Sequence, residues 1–345
     1  MNTQTRPYPP SWVDRFIDWI ASRPIPTWLT YLLIYFASTL SLHMAVWIDG
    51  VTPLWEIDSL WVFNGIWSVI SLGFIHALER SAEKAVKRFA PLVPKKSAEL
   101  EDLRYRMTTM PARAVLIMSV SFALFVILIV VFQRDFLYAG LRHPLSIVLG
   151  IGALSFSYSF APVLLYQAGR LLKYVTDAYK LVDHVNVFHQ QPLYSFSGLT
   201  MQASLFWIVM ANLNFIQNAL GGLSESEYVF NYVFSAILIT LAFLTFLLPL
   251  LGIHRRLSDA KQDVLEENSI QIEAGQNKLY AAIAAEDYAK VNGLDGAIGS
   301  LYKVRDQLKS IPTWPWATGT LHSFLSAVFL PMVLWVLQTL ASRYL

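Results

Sequence analysis

Seven apolar runs of about 20 residues each decide what this chain can fold into. They lie at Trp28–Ile48, Leu60–Leu78, Ala112–Phe132, Leu145–Leu165, Leu199–Leu220, Val229–Ile253 and Thr320–Leu340. No Asp, Glu, Lys or Arg stands in the middle of any of them. The chain has 345 residues, 55% hydrophobic and 14% charged, with the charges gathered between the runs. That pattern predicts an all-α polytopic membrane protein with seven transmembrane helices. Residues Met1–Arg23 lack a short apolar core followed by small residues, so they do not read as a cleaved signal peptide. Within them, Trp12-Val13, Phe16-Ile17 and Trp19-Ile20 recur at helical spacing beside Arg15 and Asp18, which predicts a short amphipathic helix at the membrane surface.

Orientation follows from the basic residues. The N-terminus, Glu79–Arg113, Gly169–Thr200 and His254–Thr318 hold 3, 9, 3 and 8 of the 26 Lys and Arg residues, leaving Arg134, Arg142 and Arg343 for the other side. Positive loops stay in the cytosol, so the N-terminus is expected inside and the C-terminus outside. The division is residues 1–27 as a cytosolic amphipathic segment, 28–253 as the first six spans with cytosolic extensions, 254–318 as a cytosolic hairpin and 319–345 as the last span. Glu79–Phe89 continues the second span until Pro91 and Pro94. Ala168–Phe188 continues the fourth, with Leu171, Val175, Ala178, Val182 and Val185 as its apolar stripe, until Pro192.

The sixth span runs into the hairpin. Leu265, Ile272 and Leu279 follow at sevens. After a break near Glu286-Asp287, Val291, Leu294, Ile298, Leu301 and Leu308 follow at threes and fours. This spacing predicts the coiled-coil seam of an antiparallel helical hairpin. Ile25-Pro26-Thr27-Trp28 before the first span and Ile311-Pro312-Thr313-Trp314 before the last share one four-residue pattern, with Pro at a helix start and Trp at the bilayer interface. Nothing beyond those four residues repeats, unlike the whole matching halves of an inverted-repeat transporter.

Chemistry-bearing residues are few. The absence of cysteine excludes disulfides, thiolate nucleophiles and cysteine metal sites. There is no Walker, HExxH, GxSxG or kinase signature, and no catalytic constellation, so an enzyme is not expected. No cofactor, resident metal or nucleic-acid partner is expected either. The charge-free spans argue against carboxylate proton relays and voltage sensors. His184 and His189, five residues apart, point about 140° apart on a helix and cannot share an ion without a break. His43, His76 and His322 are either intramembrane titratable groups or interfacial hydrogen-bonding residues. Asn212, Asn214, Gln217 and Asn218 form the strongest polar cluster within a span, suited to a small-molecule pocket or to hydrogen bonding between helices. The last span carries small or polar residues at its ends and apolar ones between them. Ser326, Leu330, Val333, Leu337 and Gln338 fall on that face, which suits a pore closed by dewetting or an ordinary packed helix. Pro331 offers a bend.

Seven spans with the N-terminus inside, short outer loops, cytosolic helical extensions and a cytosolic hairpin feeding the last span resemble the seven-transmembrane channel superfamily of insect gustatory and odorant receptors. The gustatory last-span pattern is Thr-Tyr, five apolar residues, Gln and Phe. Here Val333-Leu334-Trp335-Val336-Leu337-Gln338 matches the apolar run and the Gln, while Pro331, Met332 and Thr339 stand in the remaining places. The resemblance implies a homotetrameric, ligand-responsive cation channel embedded in lipid. Its last span would line a central pore, its cytosolic helices would form the anchor, and a ligand pocket would lie in the outer half of each subunit. The alternative is a non-conducting membrane sensor or scaffold whose cytosolic helices bind a partner.

Overall fold

In a computed structural model, the protein is described over residues 6–132, 141–183, 185–188, 190–221, 225–316 and 319–329. These residues are almost wholly helical, and the strand-like pairing among them is one bridge between Pro10 and Pro111. In chain order the helices are α1 Trp12–Ala21, α2 Thr27–Ile48, α3 Ser59–Phe89, α4 Ser97–Thr108, α5 Ala112–Phe132, α6 Pro144–Lys180, α7 Ser197–Gly221, α8 Glu225–Ala284, α9 Tyr288–Ser310 and the described part of α10, Gly319–Phe329. Short 3₁₀ turns follow α3 at Ala90–Leu92 and precede α7 at Gln191–Phe196. Five helices (α2, α3, α6, α7 and α8) are long and apolar enough to cross a membrane. The apolar parts of α5 and α10 are shorter, at Ala112–Leu128 and Gly319–Phe329. The architecture is that of a membrane-integral helical protein.

Most predicted boundaries lie where the local chemistry puts them. Helix α3 runs through Glu79 to Phe89 and tightens at Pro91. Helix α8, 60 residues long, passes Pro249 without ending and runs to Ala284 before the chain turns. The turn uses Glu286 at φ 56, a left-handed conformation, and Asp287 then caps α9 by accepting from the Lys290 N–H at 3.2 Å. Helix α6 ends at Lys180, well before Pro192. Its last carbonyls are taken by side chains. Arg256 donates to Tyr179 O and Val182 O at 2.7 and 3.0 Å, and Lys96 donates to Leu181 O at 2.8 Å. With those acceptors satisfied, the chain leaves the helix without a proline.

The main core sits at the end of the bundle that carries the basic residues. Val13, Ile17 and Ile20 of α1 are buried there with Leu78, Ala82 and Phe89 of α3, Leu103 and Met107 of α4, and Leu171 and Val175 of α6. The apolar face of α1 therefore docks on the protein. A smaller cluster, with Leu42, Val46, Trp61, Val126 and Leu154, holds the opposite end. In the apolar zone the helices are joined by polar pairs: Ser38 with Ser157 at 2.8 Å, Tyr158 to Asn64 at 2.6 Å, and Trp207 to Thr245 at 3.0 Å. Inside a bilayer such pairs hold helices together where hydrophobic burial gives little preference. Gly65 lets α2 and α3 cross closely, because a Cβ there would collide with the Thr39 hydroxyl.

Candidate functional site

Three parts of the structure bear on function: the last helix, the hairpin that feeds it, and a polar chamber under α1.

Helix α10 has two different faces. Phe324 and Val328 are buried, and Phe324 stacks on Phe246 of α8 at 4.5 Å and meets Phe243 edge-on at 5.2 Å. His322, Ser323 and Ser326 are exposed on the other side. Of the predicted pore residues, Ser326 is thus on a free face of the subunit, while Leu330, Val333, Leu337 and Gln338 lie outside the described residues. The stacking continues away from the membrane. His254 of α8 stacks on Trp314 at 4.0 Å, Trp314 on Trp316 at 4.5 Å, and Trp316 on Phe246 at 5.7 Å. Five rings thus join the hairpin's base, the connection after α9 and the last helix. The two Ile-Pro-Thr-Trp segments part company here: Trp28 is exposed at the start of α2, whereas Trp314 is held in the stack.

In the hairpin, α9 returns antiparallel along the second half of α8. Asn268, Ile272, Ala282, Ile298 and Leu308 are buried, with Leu265, Leu279, Val291, Leu294 and Leu301 half-buried between them. Gly275 lies under Ile298, whose Cγ1 would be 3.0 Å from a Cβ at that position. Asn268 donates to Leu301 O at 3.3 Å, and Lys261 closes the base by donating to Lys309 O and Ile311 O, each at 2.7 Å. A buried Asn in such a seam fixes register. Outside the seam, Ile270, Tyr280, Ile283, Tyr288, Tyr302 and Val304 are exposed.

The polar cluster read in α7 is resolved at one residue. Asn212 is half-buried and donates to Ile208 O of its own helix at 2.7 Å. Asn214 and Gln217 belong to α7 by backbone, and their side chains lie outside the described residues. His184 and His189 also lie outside them. His43 donates to Thr39 O at 2.8 Å and accepts from the Asp58 N–H at 3.2 Å, an interfacial role. Among the described residues no group of three or more His, Asp and Glu side chains could hold a metal ion.

The chamber was not legible from spacing. It is a partly open pocket of about 410 Å³ between the N-terminal segment, α1, α3 and α4, with Asp14, His76, Glu79, Arg80 and Arg104 in its wall. Asp14 is 7% exposed. Its Oδ2 accepts from the Ser11 N–H at 2.7 Å and the Met110 N–H at 3.0 Å, which ties α1 to the start of α5. Burial pushes its carboxyl above the usual carboxylate range, opposed by those two N–H groups. The Glu79 carboxyl of α3 stands beside it in the same wall, close enough for each carboxyl to act on the other. His76, one turn before Glu79, pairs with the Tyr31 hydroxyl at 2.8 Å.

Beside the chamber, Arg170 of α6 donates to Tyr8 OH at 2.6 Å, Arg106 O at 2.8 Å, Thr109 O at 3.2 Å and Gln167 Oε1 at 3.0 Å. It lies over the rings of Tyr8, Tyr166 and Tyr174. Burial pushes the Tyr8 phenol up to about 12, with Arg170 opposing the shift. The N-terminal segment is sewn on by Tyr105 OH to Tyr8 O at 2.7 Å and Ala112 N–H to Pro9 O at 3.2 Å.

Compared with known protein families, curated proteins and solved structures, the chain matches none.

Proposed function

We propose that the protein is a homo-oligomeric, ligand-responsive cation channel whose last helix lines a shared pore, with the N-terminus in the cytosol and seven spans per subunit. The observation that carries this reading is the two-sided α10. Phe324 and Val328 pack on α8, while His322, Ser323 and Ser326 remain exposed. On a helix at membrane level, a row of polar groups facing lipid would lack partners, whereas the same row around a symmetry axis faces water. The ring stack from His254 to Phe324 gives the hairpin a rigid path to that helix. The test is ion flux from liposomes carrying the purified protein, with single cysteines at Ser323 and Ser326 in the cysteine-free chain. The reading expects cation flux that a water-soluble thiol reagent blocks at those positions. Absence of flux under all conditions, or flux indifferent to modification at both positions, contradicts it.

A second reading has its own observation. The apolar residues exposed on the hairpin suit a partner in the cytosol, which is what a non-conducting scaffold would need. Capture of one defined partner that is lost when Tyr280 and Ile283 are both changed to Ser, together with zero flux, would favour it over the channel.

A further inference from the structure

Asp14 and Glu79 share a feature that neither the pore nor the hairpin uses. Asp14 Oδ1 and Glu79 Oε1 are both buried and find no donor among the described residues. Two carboxyl groups in contact inside a protein cannot both carry a full charge at tolerable cost. One proton between them removes the repulsion and supplies the missing donor.

The pair also sits where it can move something. Asp14 belongs to α1 and completes its capping box with Ser11, while Glu79 belongs to α3 just past the Leu60–Leu78 apolar run. Docking α1 buries Val13, Ile17 and Ile20 completely or nearly so. That same face would suit the surface of a bilayer, and the N-terminal sequence has the pattern of an interfacial helix. The helix therefore has two places to go, and the carboxyl pair lies on the boundary between them. We propose that Asp14 and Glu79 form a one-proton latch that holds α1 on the bundle, and that loss of the proton releases α1.

The surrounding charges are consistent with one shared proton. Asp18 of α1 and Glu83 of α3 add negative charge to the chamber wall. Arg6 of the N-terminal segment, Arg80 of α3 and Arg104 of α4 bring positive charge to it. Arg104 has a partner of its own in Glu101 at 3.4 Å, and Arg6 lies over the Tyr105 ring. His76 is occupied by Tyr31 of α2. Among the described residues no ion pair to either Asp14 or Glu79 is formed.

The sign follows from linkage. A carboxyl whose pKa is raised in the docked state binds more protons docked than undocked. Docking is therefore fully favoured below the ordinary carboxylate range and weakens as pH rises through the raised value. With one proton involved, the undocked population grows roughly tenfold per pH unit above that point.

The experiment is hydrogen exchange across α1 in the full-length protein in lipid nanodiscs. It runs from about pH 5.5 to about pH 9.5, with rates corrected for intrinsic exchange. The wild type is expected to lose α1 protection with a slope of one proton. Glu79→Gln, which keeps a neutral hydrogen-bonding group, is expected to show a flat profile. Asp14→Asn, whose amide can donate to an ionised Glu79, is expected to do the same. Ile20→Cys in an otherwise cysteine-free protein gives a second readout, its thiol labelling rising with pH after correction for thiolate content. A wild-type profile as flat as the variants', or an equal pH slope in Glu79→Gln, overturns the latch.

Discussion

The core under α1 and the α8–α9 hairpin both lie beyond the apolar helices, and both are helical and rich in charge. They are completed differently. Under α1, four helices and the N-terminal segment close on one another. Phe89 is wholly buried against Tyr179 at 5.9 Å and Phe196 at 5.1 Å, and Arg170 satisfies two backbone carbonyls that no helix bond reaches. In the hairpin, two helices share one seam, and Tyr280, Ile283 and Tyr288 are more than half exposed. A two-helix layer can bury only one face of each member. The first region is finished within the chain. The second has an apolar surface left over and is suited to assembly.

The largest effects are expected from the closed region. Phe89→Ala removes an aromatic side chain from a fully enclosed site and is expected to cost about 4 kcal/mol. It should appear as a large fall in the thermal unfolding midpoint of the purified protein. Next comes Arg170→Ala, which leaves the Arg106 carbonyl without its donor, leaves Thr109 O with the Tyr8 hydroxyl alone, and removes the cation from three rings. Its expected cost is about 3 kcal/mol, with α1 exchange rising as the N-terminal segment loosens. Equal tolerance of both substitutions would erase the contrast.

Within the hairpin the seam and the outer face should separate. Ile298→Ala is expected to cost about 2 kcal/mol, because its side chain fills the space over Gly275. The double change Tyr280→Ser with Ile283→Ser should alter subunit unfolding by less than about 0.5 kcal/mol, yet weaken assembly as read by light scattering in detergent. A stability loss comparable to Ile298→Ala would mean the outer face is already used within the subunit. The smallest effect is expected at Gly296 of α9, where an added Cβ meets open space. Gly296→Ala should stabilise the hairpin by up to about 1 kcal/mol through helix propensity alone, unless a second chain packs closely there, in which case assembly falls instead.

Much of the fold could be read before the structure. Apolar runs located helices to within a few residues, as at Thr27–Ile48 and Ser197–Gly221, because desolvation of a backbone leaves helix as its answer. Heptad spacing located the seam and its break, since the turn at Glu286 falls where the apolar period lapses. The early end of α6 was not readable, because it depends on Arg256 and Lys96, one 76 residues downstream of Lys180 and the other 84 upstream. Helix α4 was missed because its apolar positions, Leu103 and Met107, are sparse among charges. The chamber was missed for a related reason. Asp14 falls in the amphipathic N-terminal helix, and Glu79 is the first charge after a span. Their meeting is a matter of tertiary packing between segments 65 residues apart. One signal was available: Ser11 and Asp14 have the spacing of a capping box, which placed the Asp14 side chain at a helix start.

The central claim is that α10 borders a shared pore. The most direct measurement is a cryo-EM map of the full-length protein in lipid nanodiscs, read for symmetry and for what surrounds the axis. The account predicts a closed symmetric ring, four-fold by the resemblance, with Ser323 and Ser326 toward the axis, α10 packed on α8 through Phe324, and hairpins in contact through Tyr280 and Ile283. A monomer, or an assembly in which α10 faces lipid away from the axis, would contradict it.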